Sequence, residues 1–318
     1  MPLTSISFDS MLASRLTDLL KRSMENWVED NASRLSAALA YYSIFSIAPL
    51  LLITVGITGL VLGQDAVNGQ LYGELKSYVG TDSAEMVQSM VQSVAKPAQG
   101  MLATTLGFFT LVLGASGVFA QLKDALNTIW KVKPKRGNGF MALLRGRLLN
   151  FGMVLVFGFL LLVSLLLSTA IAALNQRIDD FLTFPTVVWA AVAFLISLSV
   201  VTLLFAMIFK VLPDAKIAWR DVWIGAIITA LLFEIGKMGL SWYLGLESTA
   251  SIFGAAGSVV LLLLWIYYTS SILFFGAEFT QVYAQANGRT IEPASNAELS
   301  RPNDREQQGL EAYSAPGD

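Results

Sequence analysis

Neither cysteine nor histidine occurs anywhere in the 318 residues. The first absence excludes disulfides and thiol nucleophiles. The second removes every imidazole acid or base, and together they exclude Cys/His zinc sites. Charge is scarce as well: 14% of residues are charged against 55% hydrophobic, where a soluble globular chain carries about 25% charge. With so few charges a soluble fold of this size could not cover its surface, and the mean hydropathy of +0.61 agrees. The net charge of −2 gives no basic balance pointing to nucleic acid. Composition therefore predicts an all-α polytopic protein built for a bilayer.

What is present is a series of long charge-free runs. Thirty uncharged residues separate Arg34 from Asp65, 26 separate Lys96 from Lys123, and 29 separate Arg147 from Arg177. A further 29 separate Asp180 from Lys210, and 30 separate Glu247 from Glu278. A spanning helix takes about 20 apolar residues at about 1.5 Å each, so each run holds one crossing and none holds two. A sixth apolar segment, Val222 to Leu244, is interrupted by Glu234 and Lys237. Six transmembrane helices are expected, near 37–62, 101–122, 148–174, 187–209, 222–244 and 257–283.

Lys and Arg counts orient them. The N-terminal arm, the second and fourth connections and the tail, all on one side of a six-span chain, hold 17 bases, and the opposite side holds three. This bias predicts cytoplasmic N and C termini. Residues 1–33 lack a continuous apolar core, so no cleavable signal peptide is expected. Phe8, Leu12, Leu16, Leu19, Leu20, Met24, Trp27 and Val28 instead recur at helical spacing. They predict a cytoplasmic amphipathic arm, lying on the membrane face or docked on the bundle. Asp30, Asn31 and Ser33 are plausible caps before the first span. The membrane domain is expected over 34–285, with an outside loop over 63–100 and a basic cytoplasmic loop over 123–147. In the outside loop, apolar periodicity around Val67–Leu75 and Met86–Val94 suggests two short helices that cover the helix tops or act as a lid. The segment 286–318, rich in Asn, Glu, Arg, Pro, Gly and Ser without apolar period, is expected to be a disordered cytoplasmic tail.

Few residues offer chemistry. Glu234 and Lys237 lie three apart on one helical face, inside a span. Counted from Asp221, Glu234 is roughly 20 Å deep and Lys237 about 24 Å, so the lysine can snorkel while the glutamate must pair, protonate or face water. The two either neutralise each other or line a polar path. Pro49, roughly 22 Å along the first span, should loosen that helix where Tyr41, Tyr42, Ser43 and Ser46 cluster. Those hydroxyls either join the path or serve as helix-packing contacts. Glu278, near the cytoplasmic end of the last span, is a candidate interfacial staple with Arg34 or Arg220. Lys131, Lys133, Lys135, Arg136, Arg145 and Arg147 in the second connection set topology and are candidate contacts to anionic lipid. Small residues at Gly114–Gly117 and at Gly225, Ala226, Thr229 and Ala230 permit close helix approach and are compatible with a homo-oligomer. No catalytic residues, metal site or cofactor are expected.

Four segments in order carry a resemblance: AALAYYSIFSIAPLLL (37–52), GASGVFAQLKDALNTIW (114–130), LPDAKIAWRDVWIGA (212–226) and GSVVLLLLWIYYTSSILFFGAEF (257–279). Over about residues 30–285 the chain resembles the YihY/BrkB family of bacterial inner-membrane proteins. That resemblance implies a six-helix, multi-pass protein of the bacterial inner (plasma) membrane. The family's former label of ribonuclease BN is a misassignment, and this sequence gives it no help, lacking histidine and any cytoplasmic acid cluster of two-metal type; no enzymatic role is expected, a membrane ribonuclease being the remotest reading. Some members are connected with serum resistance and others with ion or solute export. The expected function is a permease or exporter of an ion, small solute or lipid. The alternative is a non-transporting protein that organises the envelope by binding lipids or partners. Membrane lipids are the expected partners, and nucleic acid is not.

Overall fold

The computed structural model describes residues 8–62, 73, 76, 81, 84–89, 117–135, 186–244 and 257–301. Its helices are α1 (Phe8–Glu29), α2 (Ala32–Leu62), α3 (117–129), α4 (Thr186–Val211), α5 (Trp219–Leu244) and α6 (Gly257–Ala286). Four short strands accompany them: β1 (Val132–Pro134), β2 (Ala215–Lys216), β3 (Glu292–Pro293) and β4 (Ala297–Leu299). Among the described residues, three stretches are long and apolar enough to cross a membrane: Phe194–Val211, Trp219–Leu240 and Val259–Ala286. α2, which runs unbroken through Pro49, contains the first expected span. Of the second expected span only 117–122 lies among the described residues, where it is helical. The third, 148–174, lies outside them.

α6 is the centre of the bundle, packed by α1, α2 and α5, and α4 packs on α5. The α5–α6 contact is reciprocal. A Cβ on Gly225 would fall on the Thr280 hydroxyl, and one on Gly276 would fall on the Thr229 hydroxyl. Thr229 Oγ1 donates to the Gly225 carbonyl at 2.8 Å and Thr280 Oγ1 to that of Gly276 at 2.7 Å. Each threonine thus satisfies itself on its own helix while filling the notch of the other. This is how helices approach closely in lipid, where no hydrophobic force drives them together. Phe45, Leu195, Ile235, Met238 and Leu264 remain exposed on the flanks, which suits a bilayer as solvent.

The amphipathic arm docks on the bundle. Leu19 packs with Phe279 and Val282 of α6, and Trp27 Nε1 donates to the Ser271 carbonyl at 3.4 Å. A second stripe, Leu16, Leu20, Met24 and Val28, faces outward. α1 stops because Asn31 adopts φ 51°, a left-handed conformation that asparagine tolerates better than most residues. From the loop expected outside, 84–89 is helical, and Val87 is buried beside Leu262 and near Ile44, Ile47 and Trp265. This segment is a cover seated on α2 and α6.

The expectation of a disordered tail from 286 is corrected for residues 287–301. Gly288 takes φ 70°, its N–H donates to the Gln285 carbonyl (2.9 Å), and Arg289 N–H donates to that of Ala284 (3.0 Å). That is the paired bonding by which a C-terminal glycine closes a helix and reverses the chain. The returning strap pairs with both connections at this end of the bundle, hereafter the basal end. β3 runs antiparallel to β2 (Ala215↔Pro293, Lys216↔Glu292) and β4 antiparallel to β1 (Val132↔Leu299, Lys133↔Glu298, Pro134↔Ala297). Polar composition misled here because the strap is stabilised by backbone ladders and ion pairs, which leave no apolar period in the sequence. Residues 302–318 lie outside the described residues.

Candidate functional site

The polar cluster within the bundle is built on α5. Glu234 is 4% exposed, and Lys237 Nζ lies 2.6 Å from its Oε2. From α4, Ser197 Oγ donates to Oε1 at 3.2 Å. An i, i+3 spacing brings the two charges together on one helix face. The serine supplies a third polar contact, which matters because a buried carboxylate costs several kcal/mol unless paired and hydrogen-bonded. Phe233, next to Glu234 in sequence, packs into the apolar core, with ring centroids 6.0 Å from Phe205 and 5.5 Å from Trp265. α6 closes in one turn away. Tyr268 OH donates to the Leu232 carbonyl at 2.9 Å, and its ring occupies the space that any side chain on Gly236 would need. The site therefore holds a compensated ion pair and a hydroxyl, with the lysine about a quarter exposed. It can hydrogen-bond and exchange charge with a small polar species, and among the described residues no group of three or more metal-ligating side chains accompanies it.

The hydroxyls of α2 belong to a different helix pair. Ser46 is buried, and a Cβ on Gly117 of α3 would sit 3.9 Å from its Oγ and 3.6 Å from Tyr42 Cδ1. Tyr41 and Tyr42 are exposed and meet edge to face at 5.7 Å. The structure thus sets Ser46 and Tyr42 against α3, and Glu234 and Lys237 against α4. Pro49 lies in α2, with its side chain outside the described set.

The remaining sequence-predicted residues gather at the basal end with altered roles. Glu278 is fully buried, and the neighbours acting most strongly on it are Asp30 and Lys131. This corrects the staple expected with Arg34 or Arg220, both of which are exposed. Helical geometry explains the difference: Glu278 points into the seam where the α1–α2 elbow and the residues after α3 cover α6. Lys131 reaches into the same seam, Nζ bonding both Asp30 oxygens. The lysine side chain is 13% exposed, so its expected contact to anionic lipid is likewise corrected. Lys133 pairs with Glu298 at 3.3 Å and Lys135 Nζ donates to the Ser295 carbonyl at 3.0 Å. Arg136, Arg145 and Arg147 lie outside the described residues.

Asp214, between α4 and β2, is a second knot. Lys123 Nζ lies 2.9 Å from its Oδ1, Asn296 Nδ2 donates to Oδ1 at 2.8 Å and Asn127 Nδ2 to Oδ2 at 3.1 Å. Its backbone N–H donates to Asn127 Oδ1 (2.8 Å), and its carbonyl accepts from Ala294 N–H (2.9 Å). Burial pushes the Asp214 carboxyl up, but Lys123 and the two amides outweigh it and hold the group below the usual carboxylate range. Arg289 meets Asp221 at 2.6 Å. The cavity of about 300 Å³ beside this pair is also lined by Lys216, whose partner is Glu292 at 3.4 Å.

The family model described as "Virulence factor BrkB" matches residues 23–299. The chain belongs to the BrkB family. The match opens inside α1 and closes in β4, so every member of the basal knots and the Glu234 cluster falls within the shared BrkB region. Among relatives, a UPF0761 membrane protein of Cronobacter sakazakii is 28% identical over 261 residues, covering 80% of this chain and 85% of the relative. One of Alteromonas mediterranea is 26% identical over 279 residues, covering 86% and 90%. A longer one, of Alcanivorax borkumensis, is 29% identical over 257 residues, which are 80% of this chain and 57% of the relative. No solved structure matches. Family membership and the apolar helices together make this a membrane protein.

Ser197, Tyr268, Gly236, Asp30 and Asp214 are the site residues that the sequence did not single out for these roles. Two signals were available. Asn287-Gly288 followed by Pro293 marks a helix stop and a turn, and a lone serine opposite an intramembrane acid is a natural partner once the helix pair is known.

Proposed function

We propose that this BrkB-family protein is a multi-pass inner-membrane permease or exporter of an ion or small polar solute, with the Glu234–Lys237–Ser197 cluster as its polar site. The observation that carries the reading is Glu234 itself: a carboxylate 4% exposed, inside an apolar helix, bonded by a lysine and by a serine of the neighbouring helix. Ionisable side chains inside spans are costly and characteristically mark ion or substrate pathways. The six-span topology with cytoplasmic termini belongs to the same proposal. It rests on the 17-to-3 bias of Lys and Arg, and the basal end is then the cytoplasmic face.

The non-transporting alternative draws on the basic second connection and the terminal arms. Three of its lysines are engaged by acids of the same chain, Lys123 by Asp214, Lys131 by Asp30 and Lys133 by Glu298, which shifts the weight to the intramembrane site. The absence of cysteine makes the test clean. Single cysteines at Ser46, Ser197, Glu234 and Lys237 would be labelled with a membrane-impermeant maleimide in intact cells and in inverted vesicles. Labelling at 197 and 234 that depends on the side of addition is expected. Silence at both, with only 237 reacting, would mean a dry bundle and would remove the basis of the permease reading.

A further inference from the structure

Glu278 follows thirty uncharged residues, yet α6 buries it completely. Two elements seal it through three bonds. Trp27 of α1 bonds the Ser271 carbonyl two turns before it, and Asn26 Nδ2 donates to Gln281 Oε1 at 3.4 Å just after it. Gln281 Nε2 in turn donates to the Ile129 carbonyl at 2.8 Å, bringing the end of α3 onto the same stretch. Inside this seal, neither carboxyl oxygen of Glu278 receives a hydrogen bond from a described donor. The polar group within hydrogen-bonding reach is another carboxyl, that of Asp30, itself fully buried. Both Asp30 oxygens are occupied by Lys131.

Among the described residues of the seam the charge arithmetic does not close: two buried carboxylates face one ammonium. The other charged groups nearby are Glu29 of α1, which adds to the negative side, and Arg34 in the first turn of α2, which is exposed. On α6 the following polar residues, Thr280 and Gln281, are neutral, and on the strap Glu298 is taken by Lys133. Adjacent buried carboxylates cannot both stay ionised, and a shared proton converts two mutually repelling acceptors into a donor and an acceptor. Such a proton belongs to the pair rather than to either residue. We infer that Asp30 and Glu278 hold one proton between them and, with Lys131, form a buried proton-binding site at the basal end.

The backbone around the site is held under tension. Asn31 and Lys131, one beside Asp30 and the other its partner, are the non-glycine residues with positive φ among the described residues, at 51° and 54°. A lysine in this region is disfavoured and persists only when its surroundings over-determine it. Lys131 is held at both ends: its carbonyl accepts from Ser300 N–H at 2.9 Å, and its ammonium is clamped by Asp30. Loss of the proton leaves an unmatched negative charge in a sealed seam, which opposes the docking of the α1–α2 elbow on α6. Occupancy of the site is thereby linked to docking of the elbow. This inference does not depend on the permease reading.

The test uses the full chain in lipid nanodiscs. Infrared spectra at neutral pH should contain a protonated-carboxyl carbonyl band that shifts in D2O and disappears in Glu278→Gln. Because glutamine mimics the neutral acid and can still donate to Asp30, this variant should keep the melting temperature of the parent at neutral pH. Alkaline pH should bleach the band and raise hydrogen exchange over residues 26–36 in the parent, and Glu278→Gln should abolish that pH step. A Glu278→Gln spectrum identical to the parent's would overturn the inference. So would a variant that unfolds at neutral pH, because the ionised carboxylate would then be what the fold requires. Stabilisation of the parent by sodium or potassium over choline at fixed pH, lost in the variant, would also overturn it in favour of a metal cation.

Discussion

The two polar regions of the bundle are built on opposite plans. The intramembrane cluster draws both charges from one helix, three residues apart, and borrows a single hydroxyl from the next. The basal knots draw theirs from across the chain. Lys131 reaches Asp30 over 101 positions, and Asn127 reaches Asp214 over 87. A local pair neutralises itself before any tertiary structure exists and adds little to holding helices together. A long-range pair, once buried, makes each element depend on another. The comparison suggests that the bundle is locked at its basal end and left lightly tied at Glu234, the arrangement a moving site needs.

Substitutions can break that contrast, and the largest effect should come from the basal seam. Lys131→Met strands two buried carboxyls and should lower stability by about 3 kcal/mol or more, measured as thermal unfolding in detergent. Asp30→Asn in the same chain should restore part of the loss. Next, Gly276→Val should drive α6 off Thr229 and cost about 2 kcal/mol as overpacking, again read by thermal unfolding, while Gly239→Ala, where a Cβ meets nothing within 4 Å, should be near neutral. Asp214→Ala should cost about 2 kcal/mol, since several charge-assisted bonds are lost together. Its pH dependence has a definite sign. The folded carboxyl is held below its unfolded value, so its stabilisation is fully present above about pH 3.9 and fades as pH falls through the folded value. Asp214→Asn should flatten that acid limb of the stability curve. Glu234→Gln, by contrast, should cost under about 1 kcal/mol, because Lys237 can snorkel, yet it should abolish solute-dependent flux in vesicles. A large stability loss there would erase the distinction between the two regions. The smallest effect is expected from Lys216→Ala, whose exposed pair with Glu292 should contribute less than about 0.5 kcal/mol.

How much of this could be read in the sequence follows the same division. Spans expected at 187–209, 222–244 and 257–283 emerge as helices Thr186–Val211, Trp219–Leu244 and Gly257–Ala286. The charge-free gap found them because the bilayer imposes length and apolarity directly. α6 runs three residues past the expected end, to the point where Gly288 closes it. Glu234 with Lys237 was legible because three positions on a helix are always close. Asp30 with Lys131 was not, since nothing in either segment points to the other. The close-packing face of Gly225 and Thr229 was legible as a run of small residues. Its mate, Gly276 with Thr280, hid in a segment singled out for its glutamate.

The strap carries a consequence for how the chain is made. Asn296 bonds Asp214, and Leu299 pairs with Val132, so neither knot is complete until the strap has left the ribosome. Until then the basal end is held by Lys131–Asp30, Lys123–Asp214 and Asn127–Asp214, without the two strap ladders. Completion of the strap acts as a final latch on biogenesis. A chain truncated after α6 should insert normally and then fall to quality-control proteases, with synthesis intact and lifetime shortened.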